Sequence, residues 1–147
     1  MAIRSSLSHD QLAVLAREYL LAGHLIDRAG MPLVLARGGV DLMREVAIEE
    51  WMGASPVYTK RMQRLLHFDT GNVDAALKGM QLDIGAPPEF MDMRMEVHDD
   101  DHGAFHLAHC GALMDVEPMG DELVLTMCHH IEDPTFDATG WATNPRL

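Results

Sequence analysis

The chain has 147 residues, a formal net charge of −12, 48% hydrophobic residues and 23% charged residues. This length and composition suit one globular domain, so we interpret residues 1–147 as a single domain with a helical part (1–86) and a Cys/His-rich part (87–147). The acidic charge repels phosphate groups, so neither nucleic acid nor a membrane surface is an expected partner. The sequence has no signal-peptide pattern or bilayer-length apolar run and only two cysteines, so we expect a cytoplasmic protein with reduced thiols.

The first 86 residues have helical periodicity and predict about four helices. Ser8 and Gln11 form a capping-box pattern at the start of the first helix. The last of the four is predicted to run to Leu82. The helices are separated where glycine, proline or a capping side chain interrupts the apolar pattern, at 30–32, Gly38-Gly39, Ser55-Pro56, and Asp69 or Thr70.

After residue 86 the apolar pattern takes the period of a strand. Methionines alternate with charged residues over 91–97, which predicts a strand with one apolar and one wet face. A second strand, predicted over 104–116, is apolar on both faces and is expected to be an inner strand, antiparallel to the first. Residues 120–131 fit a helix or a strand, and Asp121-Glu122 favours the helix. We therefore predict an α+β fold, with a helical half packed on a small antiparallel sheet and followed by a Cys/His-bearing helix.

Twelve methionines are an unusual number for a chain of this length. Because the Met side chain is flexible and polarisable, a Met-rich core often lines an adaptable apolar pocket or an interface. A core that simply tolerates methionine is the plainer explanation.

Side chains with chemical potential concentrate between residues 98 and 137, where six of the nine histidines and both cysteines occur. Imidazole, thiolate and carboxylate groups are the protein ligands that zinc and related metals prefer. Alternate residues of a strand share a face, so we expect His106 and Cys110 on one face of the second strand and His109 on the other. A helix over 120–131 would turn Cys128 towards the sheet.

The resulting hypothesis is a mononuclear metal site for zinc, or for iron as the second choice. Three protein ligands would leave an open position for a water molecule, which the metal would acidify, and a nearby side chain would transfer protons. The predicted metal ligands are Cys110, Cys128, His129 and His109, and the predicted catalytic side chains are Glu132, Asp133 and His106.

Plainer explanations exist for most of these residues. A lone thiol is usually a small buried hydrophobe, and a cysteine nucleophile would need a lowered thiol pKa and a base within reach. His102, in an acidic turn, is expected to be solvated, and His109 fits a hydrogen-bonded core histidine. His24 and Asp27, three residues apart on the first helix, either pair, reach into a site or face solvent, and exposure is the simplest expectation.

The order of elements over about 40–135, with Cys110 and Cys128 in fixed-looking motifs at 109–113 and 128–137, resembles the L-2-amino-thiazoline-4-carboxylic acid hydrolase family. The resemblance implies hydrolysis of a carbon–nitrogen bond in a small cyclic substrate. We therefore predict a small-molecule enzyme, metal-assisted and hydrolytic. The alternative is a non-catalytic binding or regulatory domain that senses a metal, a redox state or haem. In either case we expect a homo-oligomer, and in the alternative its interface would use the Met strand and the helical half.

Overall fold

The computed structural model describes residues 7–68 and 71–146 and confirms the α+β class. Helices dominate, and the strands form one antiparallel hairpin. In chain order the elements are α1 (His9–Leu66), α2 (Val73–Gln81), β1 (Met91–Val97), β2 (Gly103–Cys110), α3 (Gly111–Val116), a 3₁₀ turn (Glu117–Met119), α4 (Asp121–Leu125), a π-helical segment (Thr126–Ile131) and α5 (Glu132–Thr143).

Helix α1 runs through two of the predicted breaks. The capping box is confirmed, because the Ser8 side chain accepts from the Gln11 backbone and the Gln11 side chain accepts from the Ser8 backbone. The breaks predicted at 30–32 and at Ser55-Pro56 are wrong, because Pro32 and Pro56 both lie inside the helix. Each proline removes one backbone donor, a loss that the packing of a long helix tolerates. The break at Gly39 is confirmed, with a φ of 75° that favours glycine.

Helix α2 begins later than predicted. Asn72 is its N-cap, and the Asn72 side chain accepts from the backbone N–H of Ala75 at 2.9 Å. Asp69 and Thr70, the predicted caps, lie outside the described residues. An Asn cap satisfies a backbone donor that the first helical turn leaves unpaired.

The hairpin confirms the Met strand and its antiparallel partner but corrects the extent of β2. Strand β1 turns Met91, Met93 and Met95 towards the protein and its charged residues towards water. Strand β2 ends at Cys110, and the residues predicted to continue it form α3, whose Ala112 and Val116 are buried one helical turn apart. No third strand is present in the described residues, so β2 is not an inner strand. Its apolar continuation is buried as a helix.

A β-bulge changes which residues of β2 share a face. Asp92 pairs with His109 and Met93 pairs with Leu107, so Ala108 is the extra residue. Because paired residues point to the same side of a sheet, His106 and His109 share the wet face. Cys110, which pairs with Met91, lies on the protein-facing side. The expectation that His106 and Cys110 share a face is therefore wrong.

The C-terminal third is helical, which confirms the helix favoured over 120–131. The helix begins at Gly120 without a side-chain cap, so Asp121 and Glu122 lie in its first turn. The turn from Thr126 to Ile131 widens into a π-helix, and α5 follows directly. This C-terminal helical region packs on α1, and its buried contacts with α1 and α3 form the main apolar core: Met43, Ala47, Val116, Leu123 and Ile131.

Candidate functional site

A cavity of about 600 Å³ lies beside this core, bounded by α1, the α2–β1 connection, α3 and the C-terminal helical region. This volume falls within the range of small-molecule sites. Its wall is mainly apolar, and six of the twelve methionines of the sequence contribute to it: Met31, Met43, Met80, Met91, Met119 and Met127. The structure thus places half of the methionines around a pocket. This agrees with the interpretation of a Met-lined adaptable pocket.

Glu132 is a cavity-lining residue with a strongly raised pKa. It lies at the start of α5, directly after the π-helical segment. Burial, reinforced by the negative charges of Asp83, Asp27 and Asp133, raises its pKa to about 7. A carboxyl group with this pKa is present in both protonation states at neutral pH, which suits a proton-transferring group.

Two further carboxyl groups line the cavity near Glu132. Burial and the charge of Glu50 raise the pKa of Asp27 to about 6, against the opposing effect of Arg28. The Asp27 Oδ1 atom is buried and has no hydrogen-bond partner among the described residues. Asp83 is better satisfied, since its side chain accepts from the backbone N–H of Gly85 at 2.8 Å and from the Thr139 hydroxyl at 3.2 Å. The cavity therefore concentrates negative charge within apolar walls.

An aromatic and basic group forms one side of the cavity. The His24 ring lies 4.2 Å from the Phe90 ring, centroid to centroid, and the Arg28 guanidinium lies 4.8 Å from the same centroid. Burial and the charge of Arg28 lower the pKa of His24, so its neutral form is favoured. Arg28 makes a two-pronged ion pair with Asp115, at 2.8 and 3.0 Å, which anchors α1 to α3.

Gly111 allows Phe90 to take its place in this wall. The buried Gly111 donates its backbone N–H to the Phe90 carbonyl at 2.7 Å. A Cβ atom at position 111 would overlap the Phe90 ring, so a side chain there would displace the ring. The glycine after Cys110 is thus required by the close approach of Phe90.

The two cysteines lie next to the cavity without belonging to its lining. Both are free and half-buried, Cys110 at the end of β2 and Cys128 in the π-helical segment. Burial raises the pKa of the Cys128 thiol, and the proximity of Cys110, Glu132 and Asp133 raises it further. These effects disfavour the thiolate form of Cys128, which a metal ligand or a nucleophile would need.

The histidines predicted to act with the cysteines are exposed. On the wet face of the hairpin the His106 Nε2 atom lies 3.7 Å from Glu96, and His109 is exposed on the same face. On the helix the His129 Nδ1 atom lies 3.6 Å from Asp133, and both side chains are exposed. In the turn between β1 and β2, the His102 Nδ1 atom lies 2.9 Å from the Asp99 carboxylate.

Within residues 7–68 and 71–146, no group of three or more His, Cys, Asp or Glu side chains is close enough to hold a metal ion. The predicted ligands Cys110, Cys128, His129 and His109 thus do not form a metal-binding arrangement. Metal binding stays a prediction that this geometry does not support.

The sequence interpretation named Glu132 but did not place the carboxyl groups that perturb it. His24 and Asp27 line the cavity instead of facing solvent, and Asp83 joins them from the α2–β1 connection. Asp27, Asp83 and Glu132 come from distant parts of the chain. The available signal was the spacing of His24 and Asp27, which are three residues apart and so share one helical face.

Searches against known protein families, curated proteins and solved structures found no match to this chain. In the described part of the chain, no helix combines the length and the apolar character needed to span a membrane.

Proposed function

We propose that the protein is a small-molecule enzyme that works in the Met-lined cavity with Glu132 as its acid–base group. One observation supports this above all. A carboxyl group with a pKa of about 7 lines a cavity of about 600 Å³ in a mainly apolar wall. Perturbed titratable groups in enclosed pockets are characteristic of active sites.

The reaction that this arrangement suits best is hydrolysis of a carbon–nitrogen bond, as the family resemblance implies. The ionised Glu132 would take a proton from a water molecule while the water oxygen bonds to the carbon atom of the substrate. The carbon–nitrogen bond would then break, and the protonated Glu132 would return the proton to the leaving nitrogen. Because one group serves both steps, a pKa close to the working pH is an advantage.

Cys128 and the exposed histidines have no part in this mechanism. A raised thiol pKa makes Cys128 a weak nucleophile at neutral pH. His106 lies on the wet face of the hairpin, and Asp133 is exposed. Asp133 still contributes through its charge, which helps to raise the pKa of Glu132. Of the three predicted catalytic side chains, only Glu132 lines the cavity.

The test is ring opening of three small cyclic probes, hydantoin, dihydrouracil and 2-amino-2-thiazoline, followed by mass spectrometry. We expect at least one probe to be hydrolysed, with a rate that rises with pH as Glu132 ionises around pH 7. Glu132→Gln should remove the activity, and Asp133→Asn, the matched exposed control, should keep most of it. Wild-type activity in the Glu132→Gln variant would contradict the assignment.

If none of the three probes is opened, the hydrolytic proposal fails and the second candidate applies, a non-catalytic domain that binds a small molecule. The apolar majority of the cavity wall favours this candidate.

Elemental analysis of protein purified without a His-tag tests the metal prediction independently. A cytoplasmic location with reduced thiols remains part of the proposal.

We also propose that the chain forms a homodimer through the first part of α1, with a second copy packed antiparallel. Four apolar residues recur there every seven positions, Leu12, Tyr19, Ile26 and Leu33, and their exposed fractions are 41%, 56%, 74% and 55%. This spacing keeps them on one stripe, as in a coiled coil. An antiparallel copy places Leu12 opposite Leu33 and Tyr19 opposite Ile26, a self-complementary match over roughly 32 Å of helix.

The Met strand is less suited to that interface than predicted. Met91 is buried and lines the cavity, and Met93 and Met95 are half-buried within one chain. Sedimentation velocity tests the α1 stripe. Ile26→Glu should convert a dimer into a monomer, whereas Leu65→Glu, at a position of similar exposure (66% against 74%) off the stripe, should remain dimeric. A monomeric wild-type chain would exclude the proposal.

A further inference from the structure

We infer that the cavity takes a small apolar molecule with a single positively charged nitrogen, an ammonium or amidinium group on a hydrocarbon or aromatic body. This inference rests on the proposed function, because it names the substrate class of the same cavity. It follows from the charges in the wall, from one unsatisfied oxygen and from the apolar remainder.

The charges in the wall are unbalanced. Asp27, Asp83, Asp115 and Glu132 contribute carboxyl groups, and Arg28 is the one Lys or Arg side chain among the described residues of the lining. Arg28 is already bound to Asp115 by the two-pronged ion pair. The neutral form of His24 adds no compensating charge. Asp27, Asp83 and Glu132 therefore face the cavity with only the partial compensation that the charge of Arg28 gives to Asp27. A cationic ligand would reduce the free-energy cost of these charges.

Asp27 provides a second and independent observation. Its Oδ1 atom is buried with no hydrogen-bond partner in the described structure. A buried acceptor without a donor costs roughly 1–3 kcal/mol, so such atoms are rare in native proteins. The N–H group of a cationic ligand would satisfy this oxygen and at the same time offset its charge.

The rest of the wall selects the body of the ligand. Six methionines together with Trp51 and Phe136 surround the carboxyl groups. Flexible thioether side chains adapt to the shape of a hydrocarbon or a ring and make favourable contacts with aromatic edges. A fully hydrated inorganic cation would leave these surfaces unused, and residues 7–68 and 71–146 contain no cluster of three or more His, Cys, Asp or Glu side chains that could hold a metal ion. The wall fits an organic cation better.

The same charges disfavour a ligand that carries its own carboxylate. In a weakly polar cavity two carboxylates repel each other strongly. The inference therefore departs from the carboxylic acid in the name of the family that the chain resembles. It predicts a cation without an acidic substituent.

Binding of such a cation should release a proton. A positive charge beside Glu132 favours its ionised form and lowers its pKa below 7. The other charged or titratable groups near this site are His24, Asp27, Arg28 and Glu50 from α1, Asp83 from the α2–β1 connection, Asp115 from α3 and Asp133 from α5. Most of these groups are acidic, so their charges strengthen the binding of a cation. The proton released on binding still comes from Glu132.

The experiment compares benzamidinium with its neutral isostere, benzamide, by isothermal titration calorimetry at pH 7. Measurements in phosphate and in Tris buffer give the number of protons released, because the two buffers differ in ionisation enthalpy. We expect benzamidinium to bind about tenfold more tightly than benzamide, since hydrogen bonds to charged groups are stronger than neutral ones. Proton release should accompany benzamidinium binding only.

Variants locate the effect. Glu132→Gln should abolish proton release and should reduce benzamidinium affinity more than benzamide affinity. Asp27→Asn should reduce benzamidinium affinity and keep proton release. Asp137→Asn, at an exposed position of α5 outside the lining, should resemble the wild type. Equal or tighter binding of benzamide, or no binding of either probe, would overturn the inference. If benzamide binds as tightly as benzamidinium, this inference fails but the acid–base proposal is unaffected. The acid–base proposal fails separately, if the Glu132→Gln variant keeps wild-type turnover.

Discussion

The hairpin and the cavity use the same kinds of side chain in opposite environments. The hairpin and its turn carry His98, His102, His106 and His109 close to several aspartates, and all of these imidazoles are exposed. The cavity has fewer titratable groups, but apolar walls surround them. Water screens the charges of the hairpin, whereas burial shifts the pKa of Glu132 to about 7. The comparison teaches that burial, more than the density of reactive residue types, identifies where chemistry is favoured.

The largest expected effect concerns the pH dependence of stability. Glu132 has a pKa of about 7 in the folded protein and an ordinary value of 4.5. Its contribution to the free energy of unfolding is therefore fully present below pH 4.5, where the carboxyl group is neutral. That contribution is lost as the pH rises towards and through 7. Glu132→Gln should therefore raise the free energy of unfolding at pH 8 by on the order of 3 kcal/mol and change it little at pH 4. Urea unfolding at both pH values measures the difference, with Asp137→Asn as the exposed control.

The next effect concerns Phe90. Gly111→Ala should destabilise the protein by about 1–3 kcal/mol, because the new methyl group overlaps the Phe90 ring in a packed wall. Gly53→Ala is the matched control, since a Cβ atom there meets no neighbour within 4 Å. That change lies in the middle of α1 and should be neutral or stabilising. Thermal unfolding gives the melting temperature of each variant. A lower melting temperature for Gly53→Ala than for Gly111→Ala would contradict this account of the wall.

A smaller effect is expected at Cys128. Because burial raises its thiol pKa, alkylation by iodoacetamide in a Cys110→Ser background should be slow at pH 7 and should accelerate steeply above pH 9. Mass spectrometry of the labelled chain follows the rate. Rapid labelling at pH 7 would instead indicate an activated thiol, and it would return Cys128 to the list of functional residues.

The smallest effect is expected on the hairpin. His106→Ala and His109→Ala should each change the free energy of unfolding by less than about 0.5 kcal/mol, because both side chains are exposed. Both variants should keep the ligand affinity and the ring-opening activity of the wild type. Loss of activity in either one would show that the wet face takes part in function and would break the contrast with the cavity.

Much of the fold could be predicted from local patterns. The alternation of Met91, Met93 and Met95 and the capping box at Ser8 are local signals, and both elements are present. The extent of β2 was harder to predict, because the apolar run after Cys110 suits a buried helix as well as a strand. Short apolar runs do not distinguish the two by periodicity alone.

The candidate site was predicted in part, through Glu132. The sequence could not show that Asp27 and Asp83 approach it, because that approach depends on how α1 and the α2–β1 connection pack against α5. Nor could it show the bulge at Ala108, which arises from the pairing of two strands and leaves no clear signal in either one. That single extra residue places His106 and Cys110 on opposite faces of the hairpin. It therefore excludes a site in which these two side chains act together.

The methionines around the cavity also make it directly observable. With ¹³C-labelled methyl groups on methionine, the six lining side chains become internal reporters in NMR spectra, and those elsewhere, such as Met52 and Met114, serve as a built-in reference. A molecule that enters the cavity should shift the first set of resonances and leave the second in place. The protein therefore carries its own assay for occupancy, which requires neither a known substrate nor a measurable reaction.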